Sequence, residues 1–175
     1  MNISSFKSSL VGGGARPNQF RARLIFPAFV SGGSAAARAG EFLCESTSLP
    51  ASQLGVAAAM YRGRRVPLAG DRTFQAWQFT VINDSAFTIR NAFESWVHQI
   101  NNVRDNTGIQ DPALYSVDMG IDHLDRNDNV IKTYNFIGAF PVTVDAIQLG
   151  FGNNDQLETF SVTVEYVNWD TPDLI

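Results

Sequence analysis

Leu49-Pro50-Ala51-Ser52-Gln53-Leu54-Gly55-Val56-Ala57-Ala58-Ala59-Met60-Tyr61-Arg62-Gly63-Arg64-Arg65-Val66-Pro67-Leu68-Ala69-Gly70-Asp71-Arg72-Thr73-Phe74 is the stretch on which the reading turns. A run of small residues leads into a basic segment edged with apolar side chains, and its second arm, Tyr61 to Leu68, suits one strand of a two-stranded ribbon. Such a segment is hard to bury inside a monomer. An apolar centre with a charged rim is instead the composition of a contact surface. Met60, Tyr61, Arg62, Arg64, Arg65, Val66, Leu68, Asp71 and Arg72 are therefore the candidate intersubunit contacts.

The ribbon is followed by an alternating strand, Thr73 to Ile82, with Trp77, Phe79 and Val81 on one face. Asn83-Asp84 turns the chain, and Asp84 or Ser85 is the expected cap of a helix. In that helix Ala86, Ile89, Phe93, Trp96, Val97 and Ile100 repeat at helical spacing. Upstream, Phe20 to Phe26 alternates as a half-buried strand. Ser31 to Gly40 is dominated by Gly, Ser and Ala and reads as a break, and Glu41 to Ser46 as a second short strand. Downstream, Tyr115 to His123 and Val130 to Ile137 form a hairpin about the turn Arg126–Asn129. Phe140-Pro141 interrupts the run, Val142 to Leu149 forms a further strand, and Leu157 to Trp169 alternates as one long final strand.

The expected fold is mainly β, a β-sandwich or partly open β-barrel with one flanking α-helix. Its expected divisions are a flexible arm at 1–19, one domain at 20–169 with an extended loop at 47–72, and a tail at 170–175. The 175 residues suffice for a single core. A net charge of −4 disfavours dedicated nucleic-acid binding, which calls for a basic footprint. No apolar run is long enough for a transmembrane helix, and the N-terminus lacks the regions of a signal peptide. Cys44, the single cysteine, can form no internal disulfide. Together these point to a soluble protein matured in a reducing cytoplasm, with no membrane anchor.

No set of residues supports catalysis. His98 and His123 read as structural or boundary residues, and Cys44 follows the alternation of its strand with nothing beside it to activate a thiolate. Asp125, Asn127 and Asn129 open like a calcium loop, but Val130 and Phe136 stand where Gly and Glu are required, so the segment reads as a turn. Gly12-Gly13-Gly14 lacks the Lys-Ser/Thr of a phosphate loop. Ser116, Asp118 and Asp122 share a strand face and read as a solvated or channel-facing acidic row. The arginines at 62, 64, 65 and 72 read as ion-pair partners of such rows rather than as a nucleic-acid site. No metal, cofactor or enzymatic activity is expected.

Leu49-Pro50, Ala69-Gly70-Asp71-Arg72-Thr73-Phe74, Trp77, Thr80-Val81-Ile82-Asn83-Asp84, Arg90, Phe93 and Trp96 carry a family resemblance. With Gly138, Pro141, Leu149 and the Thr159-Phe160-Val162 strand, the chain resembles the tail tube proteins of contractile-tailed phages over about residues 16–169. The resemblance implies a tail-tube fold and a homo-hexameric ring whose inner sheets join as one barrel. Rings stack into a hollow tube in the virion, assembled in the host cytoplasm. The implied partners are the tail sheath protein, baseplate proteins and tail terminator, with DNA passing through transiently on its way into the host. The segment after Pro50 is implied to reach the adjacent ring, and the N-terminal arm to help stacking. Six copies at −4 put about −24 on a ring, a charge that repels phosphates over about 10 Å. Two other readings stand beside it: the tube of a phage-derived contractile injection system carrying protein cargo, and a monomeric β-sandwich binding module using Trp77 or Trp169.

Overall fold

The computed structural model describes residues 2–172. Its strands are β1 (Phe20–Arg23), β2 (Cys44–Thr47), β3 (Gln53–Tyr61), β4 (Arg64–Thr73), β5 (Trp77–Ile82), β6 (Val117–Leu124), β7 (Val130–Val144), β8 (Thr159–Glu165) and β9 (Asn168–Asp170). Its α-helices are α1 (Ile3–Ser9), α2 (Gly33–Leu43), α3 (Thr88–Ile100) and α4 (Pro112–Tyr115). The strands pair in the order β1-β6-β7-β8-β5-β2, with β9 beside β7 and with β3–β4 a separate two-stranded sheet.

Strand β7 makes this a sandwich. Its first half pairs with β6 and β9, and its second half pairs with β8. Gly138 sits between the halves at φ +66°, a conformation that L side chains resist. The Asp118 carboxylate accepts a hydrogen bond from the Gly138 N–H at 2.9 Å and ties the bend to β6. Pro141 therefore does not end a strand. It lies inside β7 opposite Val164, next to a register shift, which is a place where a sheet tolerates proline. Conversely, the expected single strand 157–169 is two. β8 serves the second sheet and β9 crosses to pair with β7 in the first.

The core is aromatic. Trp77 and Phe79 from β5 meet Phe136 from β7 and Phe93 from α3, with centroid separations of 4.5 Å for Trp77–Phe136 and 5.9 Å for Phe79–Phe93. Helix α3 buries Ile89, Phe93 and Trp96 of the expected stripe together with Ala92, while Val97 and Ile100 are half-buried and Ala86 lies exposed ahead of the helix. Its start differs by a few residues: the Asp84 side chain accepts from the Thr88 N–H at 2.7 Å and the Thr88 hydroxyl at 2.6 Å, so the first turn forms at Thr88. The Thr88 hydroxyl bond, ahead of the smaller N–H bond, holds the Asp84 carboxyl below its ordinary range.

A second flanking helix corrects the one-helix expectation. The stretch read as a Gly/Ser/Ala break is α2, and the strand expected at 41–46 begins only at Cys44. Small residues let α2 sit close to the sheet: Gly33, Ala36 and Gly40 are its buried positions. A Cβ at Gly40 would lie 2.6 Å from Leu24 Cδ1. Helix α2 packs on α3 and β1 and touches β2, the two strands that end the pairing order. At the N-terminus α1 forms within the expected arm and buries none of its residues. Residues 173–175 of the expected tail lie outside the described residues.

Candidate functional site

Strands β3 and β4 form a ribbon paired from Gln53↔Thr73 to Tyr61↔Arg64, with one register shift between Leu54 and Val56. Arg62 (φ +47°) and Gly63 (φ +80°) close it as a two-residue loop, the left-handed pair that matches strand twist in tight hairpins. Near the root, Gly55 and Gly70 face each other so closely that a Cβ on Gly70 would lie 3.0 Å from the Gly55 carbonyl carbon. Every other position of the two strands is exposed. One face carries Tyr61, Val66 and Leu68, and the other Val56, Met60 and Pro67. Arg62 lies over the Tyr61 ring at 5.4 Å, and Arg64 and Arg65 stand opposite Tyr61 and Met60. All nine residues proposed from sequence thus fall on this ribbon. An unsupported two-stranded ribbon is marginal in water.

The root lies between β2 and β5, near Pro50, Ala76, Trp77 and Tyr166. Trp77 Nε1 donates to the Thr47 hydroxyl at 2.7 Å, and Trp169 Nε1 donates to the Ala51 carbonyl at 3.3 Å. The loop 145–158, between β7 and β8, opens at the other end of the sandwich, beside the Ile82↔Thr159 pair. Leu149 (83%), Phe151 (108%) and Leu157 (75%) are exposed there. The sequence reading carried strands over 142–149 and from Leu157, but β7 ends at Val144 and β8 begins at Thr159, so those residues belong to the loop. The signal it passed over is a phenylalanine set between Gly150 and Gly152.

The three residues expected to face a channel do not form one acidic row. Ser116 precedes β6, and its hydroxyl donates to the Pro112 carbonyl at 2.6 Å. Asp118 is exposed but lies at a register shift and holds the Gly138 bend. Asp122 is only 5% exposed and ion-paired with Arg21 at 3.3 Å and Arg23 at 3.2 Å, while the Thr133 hydroxyl donates to it at 2.9 Å. Its neighbour strand supplies two cations to one carboxylate, so this patch is not an anionic surface. The misreading came from treating one strand in isolation: Arg21 and Arg23 lie 100 residues away in sequence but next to Asp122 in the sheet.

On the outer face of the other sheet Gln78, Thr80, Ser161 and Thr163 lie together, with Gln78 opposite Thr163 and Thr80 opposite Ser161. The hydroxyls of Thr80 and Ser161 are 3.2 Å apart. These four side chains are polar and uncharged, with the exposed Glu165 next on the same face of β8.

The residues tested for chemistry have other placements. Burial pushes the Cys44 thiol up to about 12, which keeps it protonated and unreactive at neutral pH. The Asp125 carboxylate closes its turn by accepting from the backbone N–H groups of Asn127 and Asn129 at 2.7 and 2.9 Å. His98 is exposed on α3, and His123 is half-buried in β6. Among the described residues no three metal-ligating side chains gather, and no helix is long and apolar enough to cross a membrane.

The chain is similar to known proteins over nearly all of its length. The family model described as "Phage tail tube protein" matches residues 15–172. The tail tube protein of Serratia phage KSP90 is 30% identical over 166 residues, covering 94% of this chain and 93% of that protein. Tail tube protein gp19 of Enterobacteria phage T4 is 29% identical over 157 residues, covering 89% and 91%. A chain from the extended sheath–tube complex of an extracellular contractile injection system shares the fold. It has a TM-score of 0.54 and 11% identity over 98% of this chain and 97% of its own.

Proposed function

Since the chain belongs to the phage tail tube protein family, we propose that six copies close into a ring and that rings stack into the hollow tube of a contractile tail, through which the genome passes into the host. The observation that carries this reading is the exposed β3–β4 ribbon, apolar on both faces and unsupported by its own chain. Ring closure has its own means. Strands β1 and β2 end the pairing order, each with one side that no described strand covers. Two different edges meeting head to tail generate a closed ring, and closure removes edges that otherwise invite aggregation. The work is structural and needs no catalytic chemistry or cofactor.

The channel wall is best supplied by Gln78, Thr80, Ser161 and Thr163. A hydroxyl- and amide-bearing surface without cations releases no counterions from phosphates and so holds them only weakly. Of the three residues first considered, Asp118 alone is exposed, and it remains a candidate for the wall. Gln78→Lys with Thr163→Lys slows genome ejection while leaving tube formation intact; unchanged ejection contradicts the wall assignment.

The outer partners are sheath, baseplate and terminator proteins, in keeping with the fold shared with a sheath–tube complex. Electron microscopy of the purified protein at high concentration, beside sedimentation velocity, tests the assembly. Hexameric rings or hollow tubes are expected. A chain that stays monomeric even with baseplate components contradicts the reading and favours a β-sandwich binding module.

A further inference from the structure

We infer that the seat of the β3–β4 ribbon is the loop 145–158 of a second copy in the adjacent ring, an acidic, apolar-tipped surface matched to the ribbon. The inference rests on the stacked-ring reading and adds the receiving surface to it. Placement is the first argument. The ribbon leaves the sandwich at the start of β5, and the loop enters at the start of β8, which pairs with the far end of β5. The two therefore stand at opposite ends of a six-residue strand, roughly 20 Å apart. Stacking copies head to tail along that direction brings the ribbon of one toward the loop of the next. The ribbon's nine-residue arm gives a reach of roughly 30 Å.

Charge is the second argument. Between Gln53 and Thr73 the chain carries Arg62, Arg64, Arg65 and Arg72 against Asp71 alone, a net +3. From Asp145 to Glu158 it carries Asp145, Asp155 and Glu158 with no Lys or Arg, a net −3. The two signs attract across copies and repel ribbon from ribbon and loop from loop, so the stack has one polarity. Apolar surface is the third. Leu149, Phe151 and Leu157 are more exposed than large apolar side chains need be in a monomer, and Leu149 and Leu157 line a cleft of about 420 Å³. Met60, Tyr61, Val66 and Leu68 are the ribbon's matching set.

The test uses the full chain assembled into tubes. Met60→Cys and Phe151→Cys are placed together in one chain and the assembled tubes are oxidised. The half-buried Cys44 is present in every variant and serves as a common background. A ladder of disulfide-linked chains is expected from the double variant and none from either single variant. Amide exchange of wild-type tubes against free subunits gives a second measurement that needs no substitution. Residues 53–73 and 145–158 both slow, by roughly tenfold or more, if each covers the other. Wild-type tubes in which 53–73 slows while 145–158 exchanges as fast as in the free subunit overturn the inference, with the tube reading intact. A wild-type chain that forms no rings or tubes, even with baseplate components, overturns the tube reading and this inference with it.

Discussion

Two antiparallel strand pairs in this molecule differ in what holds them. The β5–β8 pair buries Trp77, Phe79, Val81, Phe160, Val162 and Val164 on one face, each at most 3% exposed. The β3–β4 pair has comparable apolar content and buries almost none of it. Backbone pairing is common to both, so the difference lies in side-chain burial, which supplies most of a sheet's stability. The first pair is completed by its own chain. The second is left open by its own chain, and on the stacked-ring reading another copy completes it. Substitutions in the two regions should therefore separate folding from assembly.

The largest effect is expected in the core. Phe93→Ala removes a ring packed against Phe26, Phe79 and Trp96 and destabilises the subunit by about 4 kcal/mol. Urea denaturation of the monomer reads that loss. A smaller loss follows at the edge of the first sheet. Asp122→Ala strands Arg21 and Arg23 at the sheet surface and costs about 2 kcal/mol, discounted because both arginines are part-exposed. Replacement by Asn, which keeps the hydrogen bond from Thr133, should cost less, and an equal loss for Asn and Ala would show that charge alone matters.

Asp84→Ala removes the acceptor for the first turn of α3 and costs about 1 kcal/mol. Because the folded-state carboxyl lies below its ordinary value of 3.8, its contribution is present above that pH. It is lost as the pH falls through the lowered folded value. The stability difference between wild type and Asp84→Ala should accordingly narrow on acidification below about pH 4. A difference that grows there contradicts the capping role. The smallest stability effect is expected in the ribbon. Tyr61→Ser or Leu68→Ser changes monomer stability by about 0.5 kcal/mol or less, yet blocks tube formation.

The same contrast explains what could be read from the sequence. Strands β1, β5 and β8 and helix α3 bury one face of a regular pattern, so their periodicity was legible. The ribbon was legible as an anomaly, because its apolar residues had no place in a monomer. Helix α2 was not, since its buried face is Gly33, Ala36 and Gly40. Small residues there permit close approach to Leu24 and Phe26, a requirement visible only once the sheet is in place. Pro141 hid the continuity of β7 for a related reason: the nearby shift in register that accommodates it is a property of the pair, not of one strand. Asp122 looked free for want of its partners on β1.

On this reading the ribbon serves assembly and contributes little to the subunit's own fold. Replacing Leu54–Arg72 by a two-residue Asn-Gly turn tests it most directly, with Tm and negative-stain electron microscopy measured on the same preparation. The expected result is a Tm close to that of the wild-type subunit and a complete absence of stacked tubes under conditions where wild type forms them. Tubes of normal length from the shortened chain contradict the account, and so does a subunit that no longer folds.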